Sequence, residues 1–352
     1  MWPTTLSVGA SYPHHLGLAL TALPVSIGTP PQPVFVQLDT GSFELWVNPD
    51  CATVDGSDAT FCGRIGQYNT NSSSTSVSLG TTKTLRYGIG SANITYVTDT
   101  ISMAGSTKAL EEVQFGVATS SEDAFSGILG IGYGKGIATK YANFIDQLLA
   151  QNATRVKAYT LALGSKDAQE GVIVFGGVDT SKFAGPLAKL PIIPAEDSPD
   201  RVPRFWISMD SISITQPDDA QDSKTYEDSG MPIFIDSGST MTILPKNLTA
   251  AIAADFGSAG PDTNGFYRVD CALTEMNGTL DFSFNQGGLK VRVPYKEMIR
   301  EVPSNPPACF LGISTSDTFT LLGDTFLRSA YGEFLQPFWK FDPKPWELRN
   351  QC

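Results

Sequence analysis

Phe35-Val36-Gln37-Leu38-Asp39-Thr40-Gly41-Ser42 is answered, in the second half of the chain, by Ile233-Phe234-Ile235-Asp236-Ser237-Gly238-Ser239. Each is an apolar strand that delivers one aspartate into a tight Thr/Ser-Gly-Ser turn. A carboxylate at the end of such a strand is costly to bury unless it is hydrogen-bonded or paired. Two carboxylates presented by the same local design point to an acid–base pair. A second element repeats too: Ile128-Leu129-Gly130 follows the first turn and Leu321-Leu322-Gly323 the second. Gly130 lies 91 positions beyond Asp39 (130 − 39) and Gly323 lies 87 beyond Asp236 (323 − 236). Repeated order at near-equal spacing is the mark of an internal duplication, so two similar lobes are predicted.

A single D-[ST]-G is weak evidence, because such a tripeptide is common in ordinary turns, where the aspartate caps local amides. The two contexts together are specific. Asp39-Thr40-Gly41-Ser42 running into Phe43-Glu44-Leu45-Trp46-Val47, and Asp236-Ser237-Gly238-Ser239 running into Thr240-Met241-Thr242-Ile243-Leu244-Pro245, resemble the active-site loops of pepsin-like aspartic proteases. Tyr87-Gly88-Ile89-Gly90-Ser91, with Ile94, Tyr96 and Thr98 alternating after it, resembles the family's flap, a β-hairpin that closes over bound peptide. Gly88 and Gly90 supply conformational freedom at its tip. Gly28-Thr29-Pro30-Pro31-Gln32 and Phe205-Trp206-Ile207 also match, and the resemblance extends over residues 25 to 334.

The resemblance implies an all-β protein with a few short helices, in the bilobal pepsin-like acid protease fold, its cleft between two related lobes. An N-terminal lobe over 1–190 would carry Asp39 and the flap, and a C-terminal lobe over 191–352 would carry Asp236. Pro191, Pro194 and Pro199 interrupt an acidic stretch at this boundary. The implied activity is an aspartic endopeptidase, fungal-type and secreted, acting as a monomer on peptide or protein substrates without metal or other cofactor. Asp39 and Asp236 would be catalytic, supported by Thr40, Gly41, Ser42, Gly238 and Ser239. Tyr87, Gly88, Ile89, Gly90 and Trp46 would form the flap and its anchor, since the family's Trp and Tyr at these places hydrogen-bond. Cys51–Cys62 and Cys271–Cys309 would be the disulfides, with Cys352 left over.

Aspartic-protease dyads are the standard case of like charges sharing a site. Two carboxylates about 4 Å apart repel by roughly 4 kcal/mol at an effective dielectric near 20. One proton is therefore held by the pair. The ionised member would take a proton from a bound water, which attacks the scissile carbonyl. The protonated member would hydrogen-bond the carbonyl oxygen and later protonate the leaving amine. Ser42 and Ser239 would hold the outer carboxylate oxygens. The working range would be acidic.

Composition agrees with this reading and excludes others. The 352 residues include 33 Gly and 23 Pro, and 41% are hydrophobic, which favours β structure with real cores. Strands are expected at Val172–Phe175 and Lys290–Pro294, and helices at Tyr141–Gln151 and Leu248–Phe256. A formal charge of −12 disfavours nucleic acid as a partner. The two histidines, His14 and His15, are adjacent near the N-terminus, which leaves no imidazole for a serine or cysteine nucleophile and no histidine metal site. No C-x-x-C occurs. The run Gly130-Ile131-Gly132-Tyr133-Gly134-Lys135-Gly136 fails the phosphate-loop pattern, with Leu129 in place of its first glycine and Gly136 in place of Ser/Thr.

A glycosidase using two carboxylates has no support in strand-turn D-[ST]-G pairing. A binding protein that kept the fold without the chemistry would be favoured by loss of either aspartate, and both are present. Sequons at Asn71, Asn93, Asn152, Asn247 and Asn277 suit a glycoprotein of the secretory route, secreted or vacuolar, and the resemblance also implies a zymogen. The start, Met1-Trp2-Pro3, carries no signal-peptide pattern, and no stretch is long enough to span a membrane.

Three places depart from the family. Phe43 stands where a small residue is usual, and its bulk must be accommodated. Ile89 occupies a flap-tip position where relatives often have Thr or Asp, which implies apolar preference near the cleavage point. Gln336–Pro345 contains Pro337, Pro343 and Pro345, which exclude a central strand there.

Overall fold

The structure is a computed structural model and describes residues 4–8, 22–48, 63, 65–103, 106, 108–122, 126–168, 171–184, 187–217, 223–336 and 346–350. They fall into two compact units. The first takes 4–8, 22–158 and 173–176, and the second takes 159–172 and the described residues from 177 onward. The chain thus enters the second unit before the prolines that mark a boundary by composition. Segment 191–204 is pinned inside that unit: Asp200 accepts hydrogen bonds from Val202 N (3.0 Å), Arg204 Nε (2.8 Å) and Trp206 Nε1 (3.0 Å).

The first unit is built on one sheet. β1 (Ala22–Ile27) turns through Gly28, which sits at φ +90°, and returns as antiparallel β2 (Gln32–Asp39). Val34, Val36 and Leu38 alternate into the core of this strand, the period of two that a pleated strand imposes. β3 (Leu45–Val47), β4 (Val77–Arg86), β5 (Ser91–Met103), β6 (Leu110–Glu122) and β7 (Gly127–Gly130) complete it, in the order β1-β2-β7-β3-β6-β5-β4. β2–β7 is parallel, β7–β3 antiparallel and β3–β6 parallel.

The second unit repeats this plan. β8 (Trp206–Met209), β9 (Met231–Ile235), β10 (Thr242–Leu244), β11 (Ile313–Thr315) and β12 (Leu321–Leu322) lie in the order β8-β9-β12-β10-β11. Their pairings run antiparallel, parallel, antiparallel, parallel. Strand for strand and sense for sense this matches β1-β2-β7-β3-β6. The repeat read from two short motifs is a repeat of topology, and the mostly β, two-part architecture is the one expected. A four-stranded antiparallel sheet of Ser223–Thr225, Ser211–Thr215, Thr279–Phe284 and Leu289–Pro294 is added to the second unit.

The glycines that close the repeated motifs have a steric reason. A Cβ on Gly130 would lie 2.5 Å from Glu44 N, 2.6 Å from Phe43 N and 2.7 Å from Ser42 C. One on Gly323 would lie 2.5 Å from the carbonyl oxygens of both Ser239 and Met241. In each unit the chain leaving the aspartate turn crosses against the glycine, and only hydrogen fits.

Helix α1 (Phe144–Ala150) is shorter than the predicted Tyr141–Gln151. Asn143 ends the approach with a capping box, accepting from Asp146 N while Asp146 accepts from Asn143 N. α2 (Lys246–Asp255) overlaps the second predicted helix, starting two residues earlier, behind Pro245, and ending one earlier, with Phe256 as its C-cap. The strands Gly171–Phe175 and Leu289–Pro294 fall where expected. Within 130–136 the structure shows a turn: Lys135 N donates to Asp146 Oδ2 at 2.6 Å, and Ala138 N and Thr139 N return to Gly134 O.

Cys271 and Cys309 form the predicted disulfide, whereas Cys51, Cys62 and Cys352 lie outside the described residues. After β13 (Ala330–Leu335), a strand returns as β14 (Trp346–Asn350), antiparallel to β13 and to Ala188–Leu190. Pro337, Pro343 and Pro345 all precede β14 and lie outside the described residues. The prolines rule out a ladder at their own positions and not beyond them.

Candidate active site

Asp39 is the last residue of β2, with its side chain buried, and Ile131 N holds its carbonyl at 2.9 Å. The chain then turns so that Gly41 N donates to Asp39 Oδ1 at 2.7 Å. Asp236 follows β9, its amide bonded to Leu322 O at 3.0 Å, and Gly238 N donates to Asp236 Oδ1 at 2.9 Å. In both turns the amide two residues on supplies the hydrogen bond that a carboxylate at the end of an apolar strand requires. Thr40 and Ser237, the middle residues of the two turns, are buried at equivalent places. Beyond each turn the chain is tied to the strand partner: Gly132 N donates to Ser42 O (2.9 Å) and Asp324 N to Ser239 O (2.9 Å). Ser42 Oγ is buried without a protein hydrogen-bond partner, so the expected bond to Asp39 is not made in this structure.

The segment 87–90 is a hairpin tip, closed by Tyr87 N donating to Gly90 O at 3.1 Å, with Gly90 at φ +84°. Trp46 Nε1 donates to Tyr87 Oη at 2.7 Å, the hydrogen bond that the resemblance implied between these two residues. Trp46 is fully buried in a cluster with Leu85, Ala92, Ile94, Tyr96 and Ile128, and the Tyr87 ring packs on that cluster. Burial and then the negative charge of Asp39 push the Tyr87 hydroxyl far above its ordinary range, against the Trp46 hydrogen bond. Tyr87 therefore keeps its proton at any working pH and faces the field of Asp39. Ile89 projects from the tip, 80% exposed. Phe43 is half-buried and finds room because Gly132 has no side chain: a Cβ there would lie 2.8 Å from Phe43 Cδ1.

Sequence reading missed the residue between Phe43 and Leu45. Glu44 is buried, paired with Lys83 Nζ of β4, and accepts from the hydroxyls of Tyr96 on β5 and Tyr141, the latter at 2.8 Å. The signal available was one acidic residue set in an otherwise apolar run.

A family model for eukaryotic aspartyl proteases matches residues 22–336, and the chain belongs to that family. The probable aspartic-type endopeptidase opsB of Aspergillus oryzae is 32% identical over 322 residues, covering 87% of this chain and 64% of that protein. Secreted aspartic protease 8 of Candida albicans is 33% identical over 320 residues, covering 89% of this chain and 72% of that protein. Candidapepsin-3 of Candida albicans is 34% identical over 320 residues, covering 87% and 74%. The chain thus spans less than two thirds of the Aspergillus relative. Among the described residues no helix is long and apolar enough to cross a membrane.

Proposed function

We propose that this protein is an acid-acting aspartic endopeptidase in which Asp39 and Asp236 serve as one acid–base pair on a bound water. The observation that carries this is the matched pair of Asp turns, each with the same amide-to-carboxylate bond, in two units that share one order of five strands. Family membership and relatives named as endopeptidases and secreted aspartic proteases support it. One carboxylate takes the water's proton, and its protonated partner polarises the peptide carbonyl and then serves the leaving amine. We assign Ser239 to the outer carboxylate oxygen of Asp236, and Tyr87, Gly88, Ile89 and Gly90, anchored by Trp46, to covering an extended peptide. Exposed apolar Ile89 favours apolar side chains next to the scissile bond. We further assign the protein to a secretory route; all five sequon asparagines are exposed.

Cleavage of a denatured protein substrate from pH 3 to 7, with and without pepstatin, tests the reading. Activity is expected on the acid side and is abolished by pepstatin, by Asp39→Asn and by Asp236→Asn, with a loss of at least about 10³-fold in kcat. Undiminished cleavage by either variant would overturn the assignment.

A further inference from the structure

Glu44 and Trp46 are two positions apart and both reach β4 and the flap it leads into. Trp46 holds Tyr87; Glu44 holds Lys83, four residues earlier on the same strand. Lys83, Leu85 and Tyr87 alternate along β4 and its continuation, so they share one face of the strand. Leu85 between them is packed in the Trp46 cluster. The hairpin's second strand is held by the same carboxylate, through the Tyr96 hydroxyl. Tyr141 completes the set, its ring edge-on to Tyr96 with centroids 5.7 Å apart. Burial and the neighbouring Glu44 raise the hydroxyls of Tyr96 and Tyr141 above their ordinary range, so both remain donors.

A buried carboxylate bonded to three donors from three parts of the chain is a costly way to fill space, and replacing one donor leaves it under-satisfied. Everything it binds in the sheet belongs to the flap hairpin, and it sits five residues after Asp39. We propose that Glu44 is a positioning residue: it clamps both strands of the flap hairpin to the loop that carries Asp39, and so sets where Tyr87 stands. This rests on the endopeptidase reading for its kinetic consequence and not for its structural one.

The test uses the full chain with Glu44→Gln, Lys83→Met and the double variant. Hydrogen–deuterium exchange of the amides in 84–95 is followed beside kcat and KM on one peptide substrate. Each single change is expected to speed exchange in the hairpin about tenfold while leaving β1 and β2 at the wild-type rate. Each should also lower kcat/KM about tenfold, mostly through KM. If one bond carries the effect, the double variant matches Glu44→Gln to within about twofold. Lys83 is half-exposed, so Lys83→Met keeps the test decisive should Glu44→Gln fail to fold. Hairpin exchange within twofold of wild type in the folded variants would overturn the proposal. So would exchange that rises equally throughout the first unit. Absence of proteolysis in every form, wild type included, would refute the endopeptidase reading, and the exchange rates would still decide the clamp.

Discussion

Gly130→Ala and Gly323→Ala should each destabilise the protein severely, although each adds one methyl group. Ordinary carbon contacts settle at 3.5–4.0 Å. The new Cβ at 130 would stand 2.5–2.7 Å from three backbone atoms of Ser42, Phe43 and Glu44. Each separation must open by roughly 1 Å, and none of the three atoms can rotate away as a side chain would. Overpacking a core costs about 1–3 kcal/mol when side chains absorb it, so a clash taken wholly by backbone should reach at least the top of that range. For a unit of this size, about 3 kcal/mol corresponds to a fall of roughly 6–12 °C in the unfolding midpoint.

Scanning calorimetry measures the midpoint, with Gly88→Ala as the matched control, because a Cβ there meets nothing within 4 Å. The control should stay within about 2 °C of wild type. The strain at Gly130 is released by moving the Phe43–Glu44 segment, so the folded fraction of that variant should also lose flap protection at low temperature. A Gly130→Ala midpoint indistinguishable from that of Gly88→Ala would refute the crossing-chain explanation of the repeated apolar-apolar-Gly motif.

Two other perturbations separate anchoring from general stability. Tyr87→Phe keeps the ring in its cluster but leaves the buried Trp46 N–H without its acceptor, a loss of about 1–3 kcal/mol; a peptidase assay should show kcat/KM lowered about tenfold. Asp99→Asn tests acid sensitivity. Burial alone would raise the Asp99 carboxyl, but hydrogen bonds from Thr75, Tyr68, Ser73 and the Thr100 amide outweigh it and hold it below its ordinary range. That stabilisation is present above the unfolded carboxylate range and is lost as pH falls through the depressed folded value. Urea titrations should show wild type more stable than Asp99→Asn near neutral pH by about 1–3 kcal/mol, with the gap closing on acidification.

The fold was legible because duplication writes the same constraint twice. An aspartate at the end of an apolar strand, and a glycine where another chain crosses, are demands of local geometry that few residue types satisfy. They surface as motifs, and motifs at near-equal spacing imply matching topology. The unit limits were less legible. Proline and acidic residues at 191–204 resemble a linker by composition, yet Asp200 accepts from the Val202 amide, the Arg204 guanidinium and the Trp206 indole, and the segment lies inside one unit. At the C-terminus proline constrains only its own position, and strand pairing resumes directly after Pro345.

Glu44 shows where sequence reading stops in the site itself. Asp39 and Tyr87 carry their signal in neighbours along the chain, whereas the partners of Glu44 lie 39, 52 and 97 positions away. Apart from the apolar run around it, nothing local distinguishes a glutamate on a solvated loop from one buried against a lysine and two tyrosines. What does distinguish them is energetic. A lone carboxylate in the apolar run Phe43-Glu44-Leu45-Trp46 must either leave the core or find donors. Trp46 is fully buried and the chain crosses Gly130 at Glu44 N, so the backbone there has no freedom to turn the side chain outward. The donors must then come from whatever packs above, and in this topology that is the hairpin of β4 and β5, with Tyr141 beside it. The constraint that makes Gly130 obligatory thus also makes Glu44 a clamp.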